Sequence, residues 1–198
     1  MNFLLINASP HEDGTTQLAL NEIKKTVEEL GECATVYQLG KDARYSCTAC
    51  CACKSIGRCK FGDLDDLTEL IRKSDGIVFG TPTYYAGAVS TLSAVLSRLC
   101  FSKGEILRNK PAATVATARR GGAVLALSEI NKYFSFCSMI TVGGVYPPIL
   151  YVDGRDDEGL QNMRSIARRM VWIAKCIKKG EENGIIPPPE ETKIKTNI

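Results

Sequence analysis

The chain has 198 residues, of which 44% are hydrophobic and 24% are charged, and its formal net charge is +3. This length and composition predict a single soluble globular domain and exclude a disordered or fibrous chain. The small, evenly spread charge argues against nucleic acid or an anionic membrane surface as a partner, and no apolar run approaches the roughly 20 residues of a membrane span.

Apolar, β-branched runs alternate along the chain with apolar residues at helical spacing. In chain order the pattern predicts a strand at 3–8, a helix through Leu20 to Leu30, strands at 34–39 and 76–80, a helix through Val89 to Leu99, a strand at 112–116, a helix at 123–134, a strand at 139–145 and a helix through Leu160 to Ala174. Parallel strands need crossover connections, and right-handed crossovers place helices on both faces. We therefore predict an α/β three-layer sandwich with a five-stranded parallel sheet, in the flavodoxin-like order 2-1-3-4-5.

The predicted division into a domain and a tail rests on the composition of residues 181–198. Residues 1–180 are assigned to this domain, with a cysteine-rich loop at 45–60. Residues 181–198 contain three consecutive prolines and no periodicity. This composition predicts an extended tail, either mobile or laid on a partner subunit.

The first loop with functional potential is NASPHEDGTTQ at 7–17, which joins the first strand to the first helix. It places hydroxyls, an amide and backbone N–H groups where a helix begins, and a helix N-terminus attracts a dianionic phosphate. These groups belong to Ser9, Gly14, Thr15, Thr16 and Gln17. A plain capped turn is the alternative, because Thr15 or Thr16 would cap a helix without any ligand. The chain contains neither G-x-G-x-x-G nor G-x-x-x-x-G-K-[ST], so neither a dinucleotide fold of that type nor a P-loop enzyme is expected.

Two further loops follow predicted strands. GTPTYYAGAVS at 80–90 combines a proline turn, glycines that allow close backbone approach, and two aromatic faces, from Gly80, Pro82, Tyr84, Tyr85 and Gly87. Half-buried packing is the alternative for the tyrosines. TARRGGA at 117–123 could stabilise negative charge on an electron-rich ring and present N–H groups to ring oxygens, through Arg119, Arg120, Gly121 and Gly122. A solvated basic turn is the alternative there.

One shared ligand accounts for all three loops. They follow strands one, three and four, whose carboxyl ends meet at the switch point where ligands bind in this fold. A phosphate site, aromatic faces and donors for a pyrimidine-like edge together predict flavin mononucleotide (FMN).

With these motifs the chain resembles the NADPH-dependent FMN reductase family, and within it the iron–sulfur flavoprotein branch. The resemblance covers nearly the whole chain and rests on SPHEDGT after the first strand, GTPTYYAG, TARRGG in place of SARRGG, and the helix around MRSIARRMVWIAKCIKKG. It implies a homodimer or homotetramer with the flavin close to a subunit boundary. Relatives often carry an Asp–Arg pair near the end of the third helix, where this chain has Ser97 and Arg98. This departure leaves the ion contact of that pair open.

The resemblance also implies which residues hold FMN. The phosphate is expected around Ser9, His11, Gly14, Thr15, Thr16 and Gln17. The ring is expected beside Pro82, Thr83, Tyr84, Tyr85 and Gly87. The pyrimidine end is expected near Arg119, Arg120, Gly121 and Gly122.

The stretch CTACCACKSIGRC at 47–59 contains five of the nine cysteines. Cys47, Cys50, Cys53 and Cys59 have the spacing C-x₂-C-x₂-C-x₅-C, and the first three match the tight loop that wraps a [4Fe–4S] cluster. Zinc sites usually separate two pairs of ligands, so this stretch is too compressed for zinc. Cys51 is an extra thiol that could compete as a ligand, and free thiols remain the alternative to a cluster.

The remaining cysteines and the start of the chain bear on the compartment. Cys33, Cys100, Cys137 and Cys176 lie on strand or helix patterns and are expected to be small core residues. The start of the chain, MNFLLINASP, is interpreted as a first strand and not as an export signal. Clustered cysteines in such a chain favour a reducing, cytoplasmic location.

These expectations give a leading functional hypothesis and a rival. The chain is expected to be an NAD(P)H-dependent flavin (FMN) oxidoreductase in which the flavin performs the chemistry, so no catalytic side chain is assigned. With a cluster, a ferredoxin-type partner is a plausible acceptor; without one, quinones, free flavins, azo compounds or nitroaromatics are. The rival is an FMN-binding electron carrier or redox sensor without small-molecule turnover, and a flavin-dependent dehydrogenase of small-molecule biosynthesis is a third possibility.

Overall fold

The strands follow the apolar runs of the sequence, in a computed structural model that describes residues 1–152 and 156–191. In chain order they are β1 (Asn2–Asn7), β2 (Cys33–Gln38), β3 (Gly76–Tyr84), β4 (Gly87–Ala88), β5 (Pro111–Ala118), β6 (Ile140–Thr141) and β7 (Ile149–Tyr151). Within the described residues they form a seven-stranded sheet in the order β2-β1-β3-β5-β6, with β4 beside β3 and β7 beside β5. All pairs are parallel except β3 with β4.

The helices cover both faces of this sheet. They are α1 (Thr15–Glu29), α2 (Cys53–Ile56), α3 (Asp65–Lys73), α4 (Ser90–Lys103), α5 (Ala123–Phe136) and α6 (Asp157–Glu182), with a 3₁₀ turn at Gly104–Ile106. Side chains alternate along β1, so that Phe3 and Leu5 pack with α1 and α6. Leu4 and Ile6 pack with α3, α4 and α5 on the other face. The predicted three-layer, flavodoxin-like α/β fold is therefore confirmed.

The fifth position of the sheet differs from the predicted strand at 139–145. β6 pairs with the start of β5 and β7 with its end, while 142–148 between them belongs to no strand. Two prolines there lack the N–H groups that a ladder needs. The Asn162 side chain takes the place of the ladder, because it accepts a hydrogen bond from the Val145 N–H at 2.9 Å and donates one to the Tyr146 carbonyl at 3.0 Å. The predicted order 2-1-3-4-5 thus holds with its fifth place filled by two short strands, and the count of five strands is wrong.

Helix α3 was not predicted from the sequence. Leu67 and Ile71 place its apolar stripe in the core, its first turn is acidic and its last turn is basic. This charge order suits the helix dipole. The helix completes the connection between β2 and β3, downstream of the cysteine stretch.

Helix α6 ends at Glu182, two residues beyond the predicted domain boundary at 180. Residues 185–191 form neither helix nor strand, and Glu190 forms an ion pair with Arg108 at 2.7 Å. The predicted tail, 181–198, includes 192–198, which lie outside the described residues. The division into domain and tail stays a prediction. Over the described ranges, no helix combines the length and apolar character that crossing a membrane requires.

Candidate functional site

The N-terminus of α1 lies against the carboxyl ends of three neighbouring strands. Asn7 of β1 is in register with Gly80 of β3, and Pro82 of β3 with Thr117 of β5. The Thr16 hydroxyl of α1 lies 2.9 Å from the Thr117 hydroxyl. Gly80 allows this close approach, because a Cβ there would come within 2.9 Å of Thr16 Cγ2. The three loops that the sequence analysis singled out therefore meet at one edge of the sheet.

The loop before α1 is held by its own polar groups. The Asn7 side-chain oxygen accepts a hydrogen bond from the Ser9 N–H at 2.9 Å, and its amide donates to the Gln17 side-chain oxygen at 2.9 Å. The Ser9 hydroxyl accepts from the His11 N–H at 3.1 Å, and Gln38 Nε2 donates to the Ser9 carbonyl at 2.6 Å. These bonds fix the loop in one conformation. Asn7 and Gln38 do so without having been predicted as site residues.

The first turn of α1 keeps backbone donors free. Gly14 is the N-cap, and no side chain among the described residues caps the helix. The first hydrogen bond of the ladder runs from the Leu18 N–H to the Gly14 carbonyl at 3.0 Å, so the N–H groups of Thr15, Thr16 and Gln17 have no acceptor within the helix. Neither Thr15 nor Thr16 therefore caps the helix with its side chain, and the phosphate site at this turn stays a prediction. Because the Thr16 hydroxyl is committed to β5, Thr16 can offer an anion only its N–H.

A tight hairpin between β3 and β4 carries the two predicted tyrosines. Tyr85 and Ala86 adopt positive φ values of 49° and 62°. Residues with a Cβ rarely adopt this conformation, and such strained positions concentrate at functional sites. The Tyr85 side chain is fully exposed and that of Tyr84 is 46% exposed. Half-buried packing is therefore the wrong interpretation for Tyr85.

Gly122 brings the loop after β5 into contact with this hairpin. Its φ is +91°, and a Cβ on Gly122 would lie 2.6 Å from Ala86 Cα. Glu129 of α5 holds the other side of the hairpin, since its carboxylate accepts hydrogen bonds from the Ala88 N–H at 2.9 Å and from the Ser93 hydroxyl at 2.6 Å. Glu129 is not among the site residues predicted from the sequence. While the two loops are in contact, position 122 has room only for a residue without a Cβ, which is glycine.

The other residues predicted beside the ring surround this contact. Pro82 is buried, Gly87 is half-buried, and Arg119, Arg120 and Gly121 are exposed. The Thr83 hydroxyl is buried and has no hydrogen-bond partner in the part of the chain that the structure describes. A buried polar atom without a partner is costly unless a ligand or water satisfies it. Free N–H groups, exposed aromatic faces and this unpaired hydroxyl at one edge fit a ligand with a phosphate and a polar ring.

The predicted metal ligands lie together at one small pocket, which is partly open to solvent. It is lined by Cys47, Cys50, Cys51, Cys53 and Cys59, with Arg98 beside them. Across residues 1–152 and 156–191, no three Cys, His, Asp or Glu side chains are placed as a metal-ligand set. The thiols share a pocket without being gathered around one point, and thiolates are ligands that suit iron–sulfur clusters. A backbone hydrogen bond at Ala52 holds the pKa of the Cys50 thiol below its ordinary value.

Beneath this pocket lies an ion pair between α4 and the loop that follows the cysteines. The Arg98 guanidinium, whose side chain is 1% exposed, donates to both carboxylate oxygens of Asp63 at 2.6 and 2.8 Å. Arg44 donates to the same carboxylate at 3.0 Å. The two guanidinium groups, Arg98 first, lower the pKa of Asp63 to about 2. Arg98 thus forms its ion contact with Asp63, in place of the acidic neighbour that the chain lacks at Ser97.

The cysteines outside this stretch divide between core and surface. Cys137 is buried and Cys100 is half-buried, as expected of small core residues. Cys33 and Cys176 are exposed, so their predicted core placement is wrong. Each lies on the solvent side of an element whose opposite side faces the core.

Comparison with known proteins gives a consistent result over most of the chain. Residues 1–149 match the NADPH-dependent FMN reductase family. An iron-sulfur flavoprotein of Methanocaldococcus jannaschii is 30% identical over 193 residues, covering 90% of this chain and 100% of that protein. An iron-sulfur flavoprotein of Archaeoglobus fulgidus is 28% identical over 202 residues, covering 92% and 100%.

A solved structure shares the fold. The flavodoxin, WrbA-like protein from Agrobacterium tumefaciens superposes with a TM-score of 0.65 at 18% identity, covering 88% of this chain and 98% of that one. At this identity the likeness concerns the fold alone. It agrees with the parallel sheet and the helices on both of its faces.

Proposed function

The chain belongs to the NADPH-dependent FMN reductase family and is an FMN-dependent oxidoreductase, and from this premise we propose that it oxidises NADPH or NADH and delivers the electrons to a small-molecule or ferredoxin-type acceptor. The observation that carries the proposal is the meeting of three loops at the carboxyl edge of β1, β3 and β5. Ligands in open parallel sheets bind at this kind of edge. When bound there, the flavin supplies hydride acceptance and electron transfer.

The phosphate of FMN is proposed to bind at the first turn of α1. The N–H groups of Thr15, Thr16 and Gln17 point out of an uncapped helix N-terminus, which favours an anion. The Thr16 hydroxyl is paired with that of Thr117, so Thr15 is the residue of the two whose hydroxyl is proposed to join them. Ser9, His11 and Gly14 form the loop over this turn, and Asn7 and Gln38 hold that loop in place.

The isoalloxazine ring is proposed to lie beside the hairpin. The Thr83 hydroxyl would find there the partner that it lacks among the described residues. Tyr84 and Tyr85 offer aromatic faces, with Pro82 and Gly87 at the two ends of the hairpin. The loop that contains Arg119, Arg120, Gly121 and Gly122 would present N–H groups and positive charge to the pyrimidine end.

The cysteine pocket is proposed to hold one [4Fe–4S] cluster on Cys47, Cys50, Cys53 and Cys59. The shared pocket and the names of the relatives support this proposal. Cys51 also lines this pocket, and its thiol donates a hydrogen bond to the Ala49 carbonyl at 3.4 Å. We therefore leave Cys51 out of the proposed ligand set, because its thiol is bonded to the backbone of its own loop. A bound cluster would supply single-electron transfer and suit a ferredoxin-type partner.

A homodimer or homotetramer is proposed as the assembly. Large apolar side chains near the proposed ring site are exposed, among them Tyr85, Val124 and Leu125. Burial of such side chains by a second copy would remove apolar surface from water. Light scattering on the purified protein tests this, and a monomer over a wide concentration range contradicts it.

The direct test of cofactor content is an absorbance spectrum of protein purified without oxygen, together with assays for FMN, iron and sulfide. We expect flavin bands and a broad shoulder that is lost in air. A colourless protein that gains no bands with added FMN contradicts the flavin assignment. Bound flavin with no turnover of nicotinamide and any acceptor would instead identify an electron carrier or sensor.

A further inference from the structure

The first and last of the four clustered cysteines are tied to adjacent residues of one helix. The Cys47 N–H donates to the Ser97 hydroxyl at 3.2 Å. Arg98 Nη1 lies 3.8 Å from the Cys59 sulfur. α4, which carries both contacts, packs into the core through Leu92, Val95, Leu96 and Leu99. The ends of the cysteine stretch are thus fixed to a rigid element of the fold.

The charged side chains beneath the pocket, those of Arg98, Arg44 and Asp63, have a net positive charge. Two guanidinium groups, from Arg98 and Arg44, share the single carboxylate of Asp63. The Arg98 Nε is buried without a hydrogen-bond partner among the described residues. A guanidinium is charged at every accessible pH, and a buried charge is costly unless it is paired. Positive charge therefore remains in excess, and the Cys59 sulfur is the acceptor beside it.

A neutral thiol is a weak acceptor for such a donor, whereas a sulfur that carries negative charge is a strong one. The sulfurs of an iron–sulfur cluster and of its thiolate ligands carry negative charge, which increases when the cluster is reduced. Hydrogen bonds to these sulfurs and the local net charge set the reduction potential of a cluster. A fixed guanidinium beside Cys59 therefore favours the reduced state over the oxidised one.

We propose that Arg98 is a positioning residue of the cysteine pocket, which holds Cys59 in place as the fourth ligand and raises the reduction potential of the cluster bound there. This inference rests on the cluster of the proposed function. It assigns to the Arg98–Asp63 pair a role beyond joining α4 to its neighbouring loop. Asp63, clamped between two arginines, keeps the Arg98 side chain aimed at the pocket.

The expected effect follows from the loss of one charge-assisted contact. A hydrogen bond to a charged group is stronger than one between neutral groups, and only the difference in its strength between the two redox states counts. We expect removal of the guanidinium to shift the equilibrium between oxidised and reduced cluster about tenfold toward the oxidised state, which is a fall of about 59 mV in midpoint for one electron.

The experiment compares Arg98→Met with a matched control, Arg44→Met. Both substitutions remove one guanidinium from Asp63 and leave it paired with the other, so neither strands an unpaired carboxylate. Of these two arginines, Arg98 is the one that donates to the Cys59 sulfur in the described structure. Each full-length protein is reconstituted anaerobically with ferrous iron and sulfide, analysed for both, and titrated by redox potentiometry with electron paramagnetic resonance detection. Arg98→Gln, also neutral, is measured in the same way if Arg98→Met does not yield folded protein.

The proposal expects a lower cluster midpoint, or loss of iron and sulfide, in the Arg98 variant, and a clearly smaller change in Arg44→Met. Equal midpoints and equal iron content in all three proteins overturn the role of Arg98, and so does an equal shift in both variants. A wild-type protein that binds no iron and sulfide overturns the cluster itself and this role with it. Measurement of the wild type first separates the two failures.

Discussion

Gly122→Ala tests whether contact between the hairpin and the loop after β5 forms the flavin site. The substitution adds one methyl group at the point where a Cβ would lie 2.6 Å from Ala86 Cα and 2.9 Å from Ala86 Cβ. Both are separations that real Cβ atoms do not tolerate, and the atoms met belong to the backbone and a rigid methyl group. The loops must therefore move apart.

The magnitude has two parts. A residue with a Cβ held at a φ of +91° is strained by about 1–2 kcal/mol, and forcing an extra methyl into a packed contact costs about 1–3 kcal/mol. If FMN binds only when the loops are together, even about 2 kcal/mol weakens binding roughly 30-fold, since about 1.4 kcal/mol corresponds to tenfold in Kd.

The assay is titration of FMN against apoprotein, followed through the quenching of FMN fluorescence. Gly143→Ala is the matched control, because Gly143 is not among the proposed site residues and a Cβ on it meets nothing within 4 Å among the described residues. We expect the control to bind as wild type does and Gly122→Ala to bind much more weakly, with a melting temperature lowered by about 2–4 °C for each kcal/mol of strain that the apoprotein keeps. Wild-type affinity in Gly122→Ala, or equal loss in both variants, refutes this reasoning.

Two further predictions concern buried polar contacts. Thr117→Val leaves the Thr16 hydroxyl buried without its partner and should lower the free energy of unfolding, measured in urea, by about 1–3 kcal/mol. The double variant Thr16→Val, Thr117→Val removes both hydroxyls and should recover part of this loss. A double variant no more stable than Thr117→Val contradicts the pairing. The carboxyl pKa of Asp63 is lowered from 3.8 to about 2, so its ion pair stabilises the fold above pH 4 and that contribution is lost as the pH falls toward 2. The stability difference between wild type and Asp63→Asn should therefore narrow over this range by about 1 kcal/mol, allowing for solvent screening; a difference that stays constant from pH 5 to pH 2 contradicts the assignment.

Where the site lies could be predicted from the sequence, because local patterns determine it. Each buried strand is a continuous apolar run, and the residues after it are brought to the same edge by parallel topology alone. The loops at 7–17, 80–90 and 117–123 therefore converge as expected. α3 could have been predicted in the same way, from the helical spacing of Leu67 and Ile71 and from its charged ends.

What could not be predicted depends on partners distant in the chain. Nothing near Thr16 indicates that its hydroxyl is buried against Thr117 and so cannot cap α1. The fifth strand breaks because Asn162 hydrogen-bonds to the backbone that would otherwise join the ladder. Arg98 finds an acidic partner in Asp63, on a different element. Each of these features depends on a contact between residues far apart in the chain. Composition and local spacing carry no information about such contacts.

In the proposed function, electrons enter the protein from a nicotinamide and leave it to an acceptor. The measurement that tests it most directly is anaerobic mixing of the FMN-loaded protein with NADPH, and separately with NADH, while the flavin absorbance is followed. Quinone, ferric or ferredoxin acceptors are then added and the nicotinamide consumed is counted. We predict that the flavin bands bleach with at least one nicotinamide and that turnover continues once an acceptor is present. A bound flavin that stays oxidised with both nicotinamides, and no turnover with any acceptor, would contradict the reductase function.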